Sequence, residues 1–373
     1  MTNQKDFLGK LNEVIANQLP DIQSKVVELM EEIYKNSPNI LICGKSGVGK
    51  STLINNIFRE EIAKTGVGTS ITKEIKKYKK DNVPVNIYDT PGFDLGDTHV
   101  QENVIKHIQD CNKDENPQNH IHVMWYCISG SGARIEDSEI DFIKEVKEKT
   151  NLCVIILLTK IDQDLELSEE LYVVIKNKNL NVSNVLQISA KTYTNLKDLI
   201  TITNQILPEA FRRAFMNAQI VNIEEKEKAA YKYMFAYVTG TALVSFTPIP
   251  FSDWVAIVPM QLTMLIHISV IFGLEIDKAI VQSILTGSFA SSGATILGRF
   301  LGSLAKLIPG IGTVVGGSIN AAIASSITTA IGGAYIKLLC KLMKSKINGE
   351  EISTDEMEAT IKSELEKKNQ NNK

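Results

Sequence analysis

The stretch Asn39-Ile40-Leu41-Ile42-Cys43-Gly44-Lys45-Ser46-Gly47-Val48-Gly49-Lys50-Ser51-Thr52-Leu53 runs from an apolar segment through a glycine-rich turn into a helix-forming one. Residues 39–43 read as a buried strand and 50–58 as the helix that follows it. Between them the glycines let the backbone take φ values that other residues resist. Successive N–H groups of Gly44, Lys45, Ser46, Gly47, Val48 and Gly49 can then turn inward on one anion, with the positive end of the helix behind them. Lys50 can neutralise the outer oxygens of a polyphosphate. The Ser51 hydroxyl is a hard oxygen ligand for magnesium, with Thr52 beside it in the first helical turn. A Gly-x-x-x-x-Gly-Lys-Ser run between a strand and a helix is much more specific than the spacing alone.

Three further short motifs follow in the order that one nucleotide site requires. Asp89-Thr90-Pro91-Gly92 ends a strand 38 residues after Ser51 (89 minus 51), where Asp89 can hold magnesium through water and the Gly92 N–H can meet a terminal phosphate. Between them lies Thr65-Gly-Val-Gly-Thr-Ser-Ile-Thr72, a switch-like loop in which a threonine should complete the magnesium shell. Thr72, just before a strand, is preferred over Thr69. Thr159-Lys160-Ile161-Asp162 addresses the base: the Asp162 carboxylate can accept from the N1 and N2 groups of guanine, which adenine cannot supply, while Lys160 can lie along the purine. A buried polar group left unpaired rejects the wrong base strongly. Ser189-Ala190-Lys191 comes after the next strand, where the Ala190 N–H can meet the guanine carbonyl. The expected ligands are therefore GTP or GDP with Mg2+, with metal contacts from Ser51, Thr72 and Asp89 and with Lys50, Thr72 and Gly92 as the catalytic groups.

Around this site, residues 39–207 alternate strand and helix. Residues 72–80 and 85–88 suit a hairpin about Asp81-Asn82, 121–129 and 152–159 are apolar strand runs, and 185–189 is a shorter one. The segments 100–111, 136–150, 167–176 and 196–206 have helical periodicity. This pattern predicts an α/β domain with a mostly parallel sheet covered on both faces and one antiparallel strand. Residues 4–35 suit one or two amphipathic helices that need a docking surface, and 211–231 reads as one charged helix.

The composition then changes. Residues 233–336 hold only six formal charges, while twelve of the 23 glycines fall there. That segment predicts a Gly/Ala-rich, all-α domain built from two hairpins, to which the N-terminal helices dock. A charged helix from Ser353 closes the chain, opened by a Ser353/Glu356 capping box. The expected domains are 1–36, 37–208, 209–347 and 348–373. Uncharged runs of about 20 residues also suffice to span a hydrocarbon core, with Lys337, Lys341, Lys344 and Lys346 as interfacial anchors. Frequent Ser, Thr, Gly and Pro residues oppose stable spanning.

Across the whole chain of 373 residues, 44% are hydrophobic and 22% charged, and the net charge of −3 gives no general pull toward polyanions. The five cysteines show no metal-ligand spacing, which together with an N-terminus lacking a signal-like apolar core points to a cytoplasmic protein.

On these motifs, residues 39–207 resemble a Ras-like P-loop GTPase domain, with Asp-Thr-Pro-Gly-Phe and Thr-Lys-Ile-Asp similar to the Era, septin and immunity-related branch. The segments TPIPFSDWVAIVPMQLTMLIHISVIFGLE and LIPGIGTVVGGSI resemble the helical domain found fused to bacterial Era-like GTPases. The resemblance implies a GTP-hydrolysing switch. Phe93 stands where many small GTPases place the glutamine that orients water, so slow unaided hydrolysis is expected, helped by another residue, a partner or a second G domain. Arg134 is a minor candidate for a finger in trans. The expected partners are a second copy through the G domains, and a membrane surface or helical protein through 233–336; no nucleic acid is expected. Two other functions compete: a membrane-embedded scaffold or pore with a GTP-binding head, and, ranked last, a ribosome-assembly GTPase.

Overall fold

Strand β1 (Asn39–Gly44) reads NILICG and is buried along its whole length. A strand apolar on both faces is stable only when helices cover both sides, and this sets β1 near the middle of a layered fold. The computed structural model describes residues 24, 28, 31–58, 75–80, 83–92, 98–132, 134–239, 254–274 and 321–371. Six strands lie in the order β2-β3-β1-β4-β5-β6, with β2 at Lys76–Lys80, β3 at Val83–Asp89, β4 at Val123–Ser129, β5 at Val154–Thr159 and β6 at Asn184–Gln187. β1 runs parallel to β3 and β4, with Ile42 opposite Asp89 and Gly44 opposite Cys127. Only β2 runs antiparallel, against β3. The mostly parallel sheet with one antiparallel strand is the expected Ras-like arrangement, and it brings the carboxyl ends of β1, β3 and β5 to one edge, where α/β sheets place their ligands.

Among the described residues, the helices of the sheet unit include α1 (Lys50–Ile57), α2 (Thr98–Asn112), α3 (Asp137–Thr150), α4 (Leu165–Asn177), α5 (Leu196–Ile206) and α6 (Glu209–Ala218). Because side chains alternate along a strand, the sheet buries two clusters. Ile40, Ile42, Trp125 and Ile155 join Leu53, Leu199 and Phe215 on one face. Leu41, Cys43, Tyr126 and Ile156 join Ile108, Phe142 and Leu171 on the other. Cys43 and Cys127 are buried free thiols within these layers, and burial pushes the Cys127 thiol up to about 12. They pack as small apolar groups.

The single helix expected over 211–231 is two. α6 ends at Ala218, and α7 (Ile223–Val238) begins after an extended break. The break is set by pairing: Gln219 bridges Phe58, the Ile220 N–H donates to the Ile57 carbonyl at 2.9 Å, and the Asn222 N–H donates to the Gln219 side chain at 2.8 Å. Backbone groups used this way leave the helical ladder. The chain correspondingly divides between Asn222 and Ile223: Glu32–Asn222 forms one compact unit and the described residues beyond it another. Residues 209–222 thus lie with the sheet.

The second unit is helical, with α7, α8 (Trp254–Ile271), α9 (Ala321–Asn348) and α10 (Thr354–Asn371). Gly273 and Gly349, at φ 76° and 73°, end α8 and α9. In each case the N–H after the glycine returns to a carbonyl five residues back, Leu274 to Ser269 and Glu350 to Ser345, the helix stop that a left-handed glycine allows. Gly332 lets α7 approach, since a Cβ there would lie 2.8 Å from Met234 Cγ. Polar groups in the interior are paired: Gln261 with Thr328 at 3.1 Å, Ser269 with Tyr335 at 2.7 Å, and the fully buried Lys226 with the Ile271 carbonyl at 2.9 Å. Lys337 pairs with Glu227. The Ser353/Glu356 capping box forms as expected, with Ser353 N–H to Glu356 at 3.0 Å and Glu356 N–H to Ser353 Oγ at 3.3 Å. No helix among the described residues is long and apolar enough to cross a membrane. Residues 240–253 and 275–320 of the expected helical hairpins, and nearly all of the helices expected over 4–35, lie outside the described residues.

His122, at the mouth of β4, gives the sheet unit a pH signature. The Asn39 N–H donates to its Nδ1 at 2.9 Å, so the neutral ring carries its proton on Nε2, which faces the Pro117 carbonyl at 3.1 Å. Burial is the main cause that lowers its pKa to about 4, against about 6.5 unfolded. Its contribution is present above pH 6.5 and is lost as pH falls toward 4, because the unfolded chain takes the proton first. Chemical denaturation at pH 7 and pH 4.5 should show a fall in stability that His122→Asn reduces.

Candidate nucleotide-binding site

The turn after β1 is shaped by its glycines. Gly44, Gly47 and Gly49 all have positive φ, at 133°, 74° and 99°. At Gly44 the restriction is also steric, since a Cβ would stand 2.1 Å from the Cys127 carbonyl oxygen of the paired strand. Gly49 then starts α1 in a left-handed conformation, so Lys50 and Ser51 occupy the first helical turn. The Lys50 ammonium folds back over the loop and donates to the Gly44 and Lys45 carbonyls at 2.8 and 3.0 Å. Ser46, Gly47 and Thr52 are exposed, whereas Val48 is buried under the loop.

The end of β3 closes one side. Asp89 is buried, and the Thr90 N–H donates to the Ile42 carbonyl at 3.2 Å, which ties this strand end to β1. Gly92 lies directly against the phosphate loop: a Cβ there would meet Ser46 N at 2.7 Å and Ser46 Cα at 2.9 Å. Only a residue without a side chain fits that approach.

The residues expected to read the base close the other side. Thr159, buried at the end of β5, has its hydroxyl 2.6 Å from the Val48 carbonyl and 3.1 Å from that of Ile128. With one proton to give, it serves the nearer Val48 oxygen, joining the strand end to the phosphate loop. Lys160 takes a left-handed φ of 59°, and its Cε would lie 3.8 Å from a Cβ at Gly49, so its stem runs beside the loop. Asp162 is oriented by the buried Ser189, whose hydroxyl donates to Oδ1 at 2.6 Å and accepts from the Thr192 N–H at 3.1 Å. Ala190 is half-buried and Lys191 exposed.

The structure therefore brings Gly44, Lys45, Ser46, Gly47, Val48, Gly49, Lys50, Ser51, Thr52, Asp89, Gly92, Thr159, Lys160, Asp162, Ser189, Ala190 and Lys191 to one edge of the sheet. Thr72, Thr69 and Phe93 lie outside the described residues. Arg134 is exposed just ahead of α3.

Two contacts have no motif to announce them. Lys45 pairs with Glu136 at 2.8 Å and with the buried Glu139 at 3.1 Å, and the Tyr126 hydroxyl donates to Glu139 at 3.2 Å. Burial opposes the charge on Lys45, but the hydrogen bonds and charges of both carboxylates outweigh it and raise its pKa. The Asn56 amide donates to the Ala190 carbonyl at 2.8 Å. Only spatial proximity reveals either one.

The residues present fit a magnesium–nucleotide ligand. Gly92 brings its backbone directly against the phosphate loop, an ammonium already sits on the loop, and Ser51 and Asp89 offer the hard oxygen donors that magnesium takes. Ser189→Ala should leave the Thr192 N–H and an Asp162 lone pair without their partner, at a cost of about 1–2 kcal/mol. Titration should then show GDP binding weakened by about 10-fold, and the thermal midpoint of the ligand-free protein should fall by a few degrees, because both bonds are made without nucleotide.

The profile of the 50S ribosome-binding GTPase family matches residues 39–160. Septin-9 of Rattus norvegicus is 30% identical over 163 residues, 36% of this chain and 28% of the relative. Neuronal-specific septin-3 of Danio rerio is 25% identical over 144 residues, 32% of this chain and 40% of the relative. The chain thus spans less than half the length of these curated relatives. Among solved structures, a probable GTP-binding protein engB aligns over 45% of this chain and 97% of its own at 22% identity and a TM-score of 0.36. Era bound to MgGDPNP and nucleotides 1506–1542 of 16S ribosomal RNA aligns over 46% of this chain and 57% of its own at 23% identity, also with a TM-score of 0.36. The profile match runs from β1 to Lys160 and so takes in the phosphate loop, Asp89, Gly92 and Thr159; over these residues the chain is similar to P-loop GTPases.

Proposed function

We propose that the chain is a magnesium-dependent, GTP-binding and slowly GTP-hydrolysing switch whose nucleotide state controls self-association, partner contact or membrane contact of its helical unit. The observation that carries the base assignment is Asp162, held by Ser189 at 2.6 Å beside a phosphate loop that Thr159 ties to the same strand end. In this reading the N–H groups of 44–51 and the Lys50 ammonium hold the β- and γ-phosphates, and Asp162 with the Ala190 N–H reads guanine. Magnesium, when bound, supplies a charge that neutralises the phosphate oxygens. Ser51 and Asp89 would hold it, with Thr72 of the switch-like loop before β2 completing its shell. Gly92, whose backbone lies against Ser46, would register a terminal phosphate through its N–H and pass its loss to the residues that follow.

Phe93 offers no group to orient a water molecule. Hydrolysis by the isolated chain is accordingly slow, and a second copy or another partner supplies what is missing. The septin likeness supports self-association as the first partner to test. Nucleic acid is not part of this reading, since the net charge of −3 gives no general pull toward a polyanion.

Single-turnover hydrolysis should be on the order of 10⁻³ s⁻¹ or slower in the full-length protein at low concentration. It should rise with protein concentration if the missing group comes from a second copy, and Lys50→Ala should abolish it. Sedimentation and liposome flotation with GDP and with a non-hydrolysable GTP analogue should differ. Unchanged self-association and unchanged liposome partition between the two nucleotides would contradict the coupling.

A further inference from the structure

Helix α1 carries more than the phosphate ligands. Lys50 and Ser51 open it, and Asn56 sits near its far end. The half-buried Asn56 side chain donates from Nδ2 to the Ala190 carbonyl at 2.8 Å, across 134 residues of sequence. Ala190 is the middle residue of Ser189-Ala190-Lys191. On one side, Ser189 is tied to Asp162 and to Thr192 by its hydroxyl, and its N–H donates to the Thr194 carbonyl at 3.2 Å. On the other side, Lys191 and Thr192 are exposed. The Asn56 bond therefore fixes the peptide between Ala190 and Lys191, directly beside the Ala190 N–H.

We propose that Asn56 is a positioning residue for base selection, holding the 190–191 peptide so that the Ala190 N–H stands fixed where the 6-carbonyl oxygen of guanine arrives. The inference rests on the guanine-nucleotide reading and deepens it. Its chemistry is specific to one edge of the base. A 6-oxo purine accepts from a fixed N–H, whereas a 6-amino purine turns a donor toward it and is rejected only if that N–H cannot swing away. Asp162 reads the 1- and 2-positions and is held separately by Ser189. Asn56 thus governs discrimination at position 6 and leaves discrimination at position 2 to Asp162. Because α1 also carries Lys50 and Ser51, one short rigid element sets the spacing between the phosphate ligands and the base-reading loop.

The test is equilibrium titration of full-length wild-type protein, Asn56→Ala and Asn56→Asp with GDP, IDP and the diphosphate of 2,6-diaminopurine riboside. IDP keeps the 6-oxo group and N1–H and lacks the 2-amino group; the diaminopurine nucleotide keeps the 2-amino group, carries a 6-amino group and has no N1–H. That loss at Asp162 is common to wild type and variants and cancels when their ratios are compared. Wild type should prefer GDP over both, and equal binding of all three would overturn the guanine reading itself. With that preference in place, Asn56→Ala should reduce the ratio of GDP to diaminopurine affinity by about 5- to 10-fold, the value of one hydrogen bond, and leave the ratio of GDP to IDP unchanged. Asn56→Asp is nearly isosteric and places an acceptor against the carbonyl, so the position-6 ratio should fall at least as far. An unchanged position-6 ratio in both variants, or an equal fall in both ratios, would overturn the role of Asn56. Thermal unfolding without nucleotide separates these outcomes from loss of fold, because a ratio measured on the folded fraction is independent of its amount.

Discussion

A single hydroxyl holds the two halves of the site in register. Thr159 at the end of β5 donates to the Val48 carbonyl in the phosphate loop at 2.6 Å, between segments 111 residues apart. The groups that read a base and those that wrap a polyphosphate must stand a fixed distance from each other, because the nucleotide joining them has a fixed length. Parallel strands meet that need well: β1 and β5 flank β4 and end at the same edge. The rest of the domain keeps those strand ends still. Its two apolar layers immobilise the sheet, and short side-chain bonds then place each loop. These include Thr90 on β1, Ser189 on Asp162 and Asn56 on Ala190.

Much of this was legible in the sequence because the chemistry requires particular residues in a particular order. The strand, glycine turn and helix of 39–57, the antiparallel β2/β3 pair and the strand ends at Asp89 and Thr159 all stand where the spacing predicts. The capping box at Ser353 forms between the two residues named for it. Such features are local, and their backbone requirements are written in a few adjacent side chains.

What the sequence concealed is long-range. The charged segment 211–231 has continuous helical periodicity, yet Gln219 and Ile220 leave the helix to pair with Ile57 and Phe58. Tertiary pairing there overrides local preference. Lys45 belongs to the phosphate-loop pattern for its backbone, while its side chain turns to Glu136 and Glu139 at the start of α3. Asn56 looks like an ordinary polar residue on a short helix until Ala190 is placed beside it. The helical unit was foreseen in class. Its paired interior polar groups, such as Ser269 with Tyr335, emerge only once the helices are set side by side.

The central claim is that these loops form one preassembled site for a guanine nucleotide. Calorimetric titration of the full-length protein with GDP and with ADP, in magnesium, tests it most directly. The account predicts one GDP per chain and a preference over ADP of at least about 1,000-fold, as expected when buried hydrogen-bonding groups read the base. Equal affinity for the two nucleotides, or no binding of GDP, would contradict it.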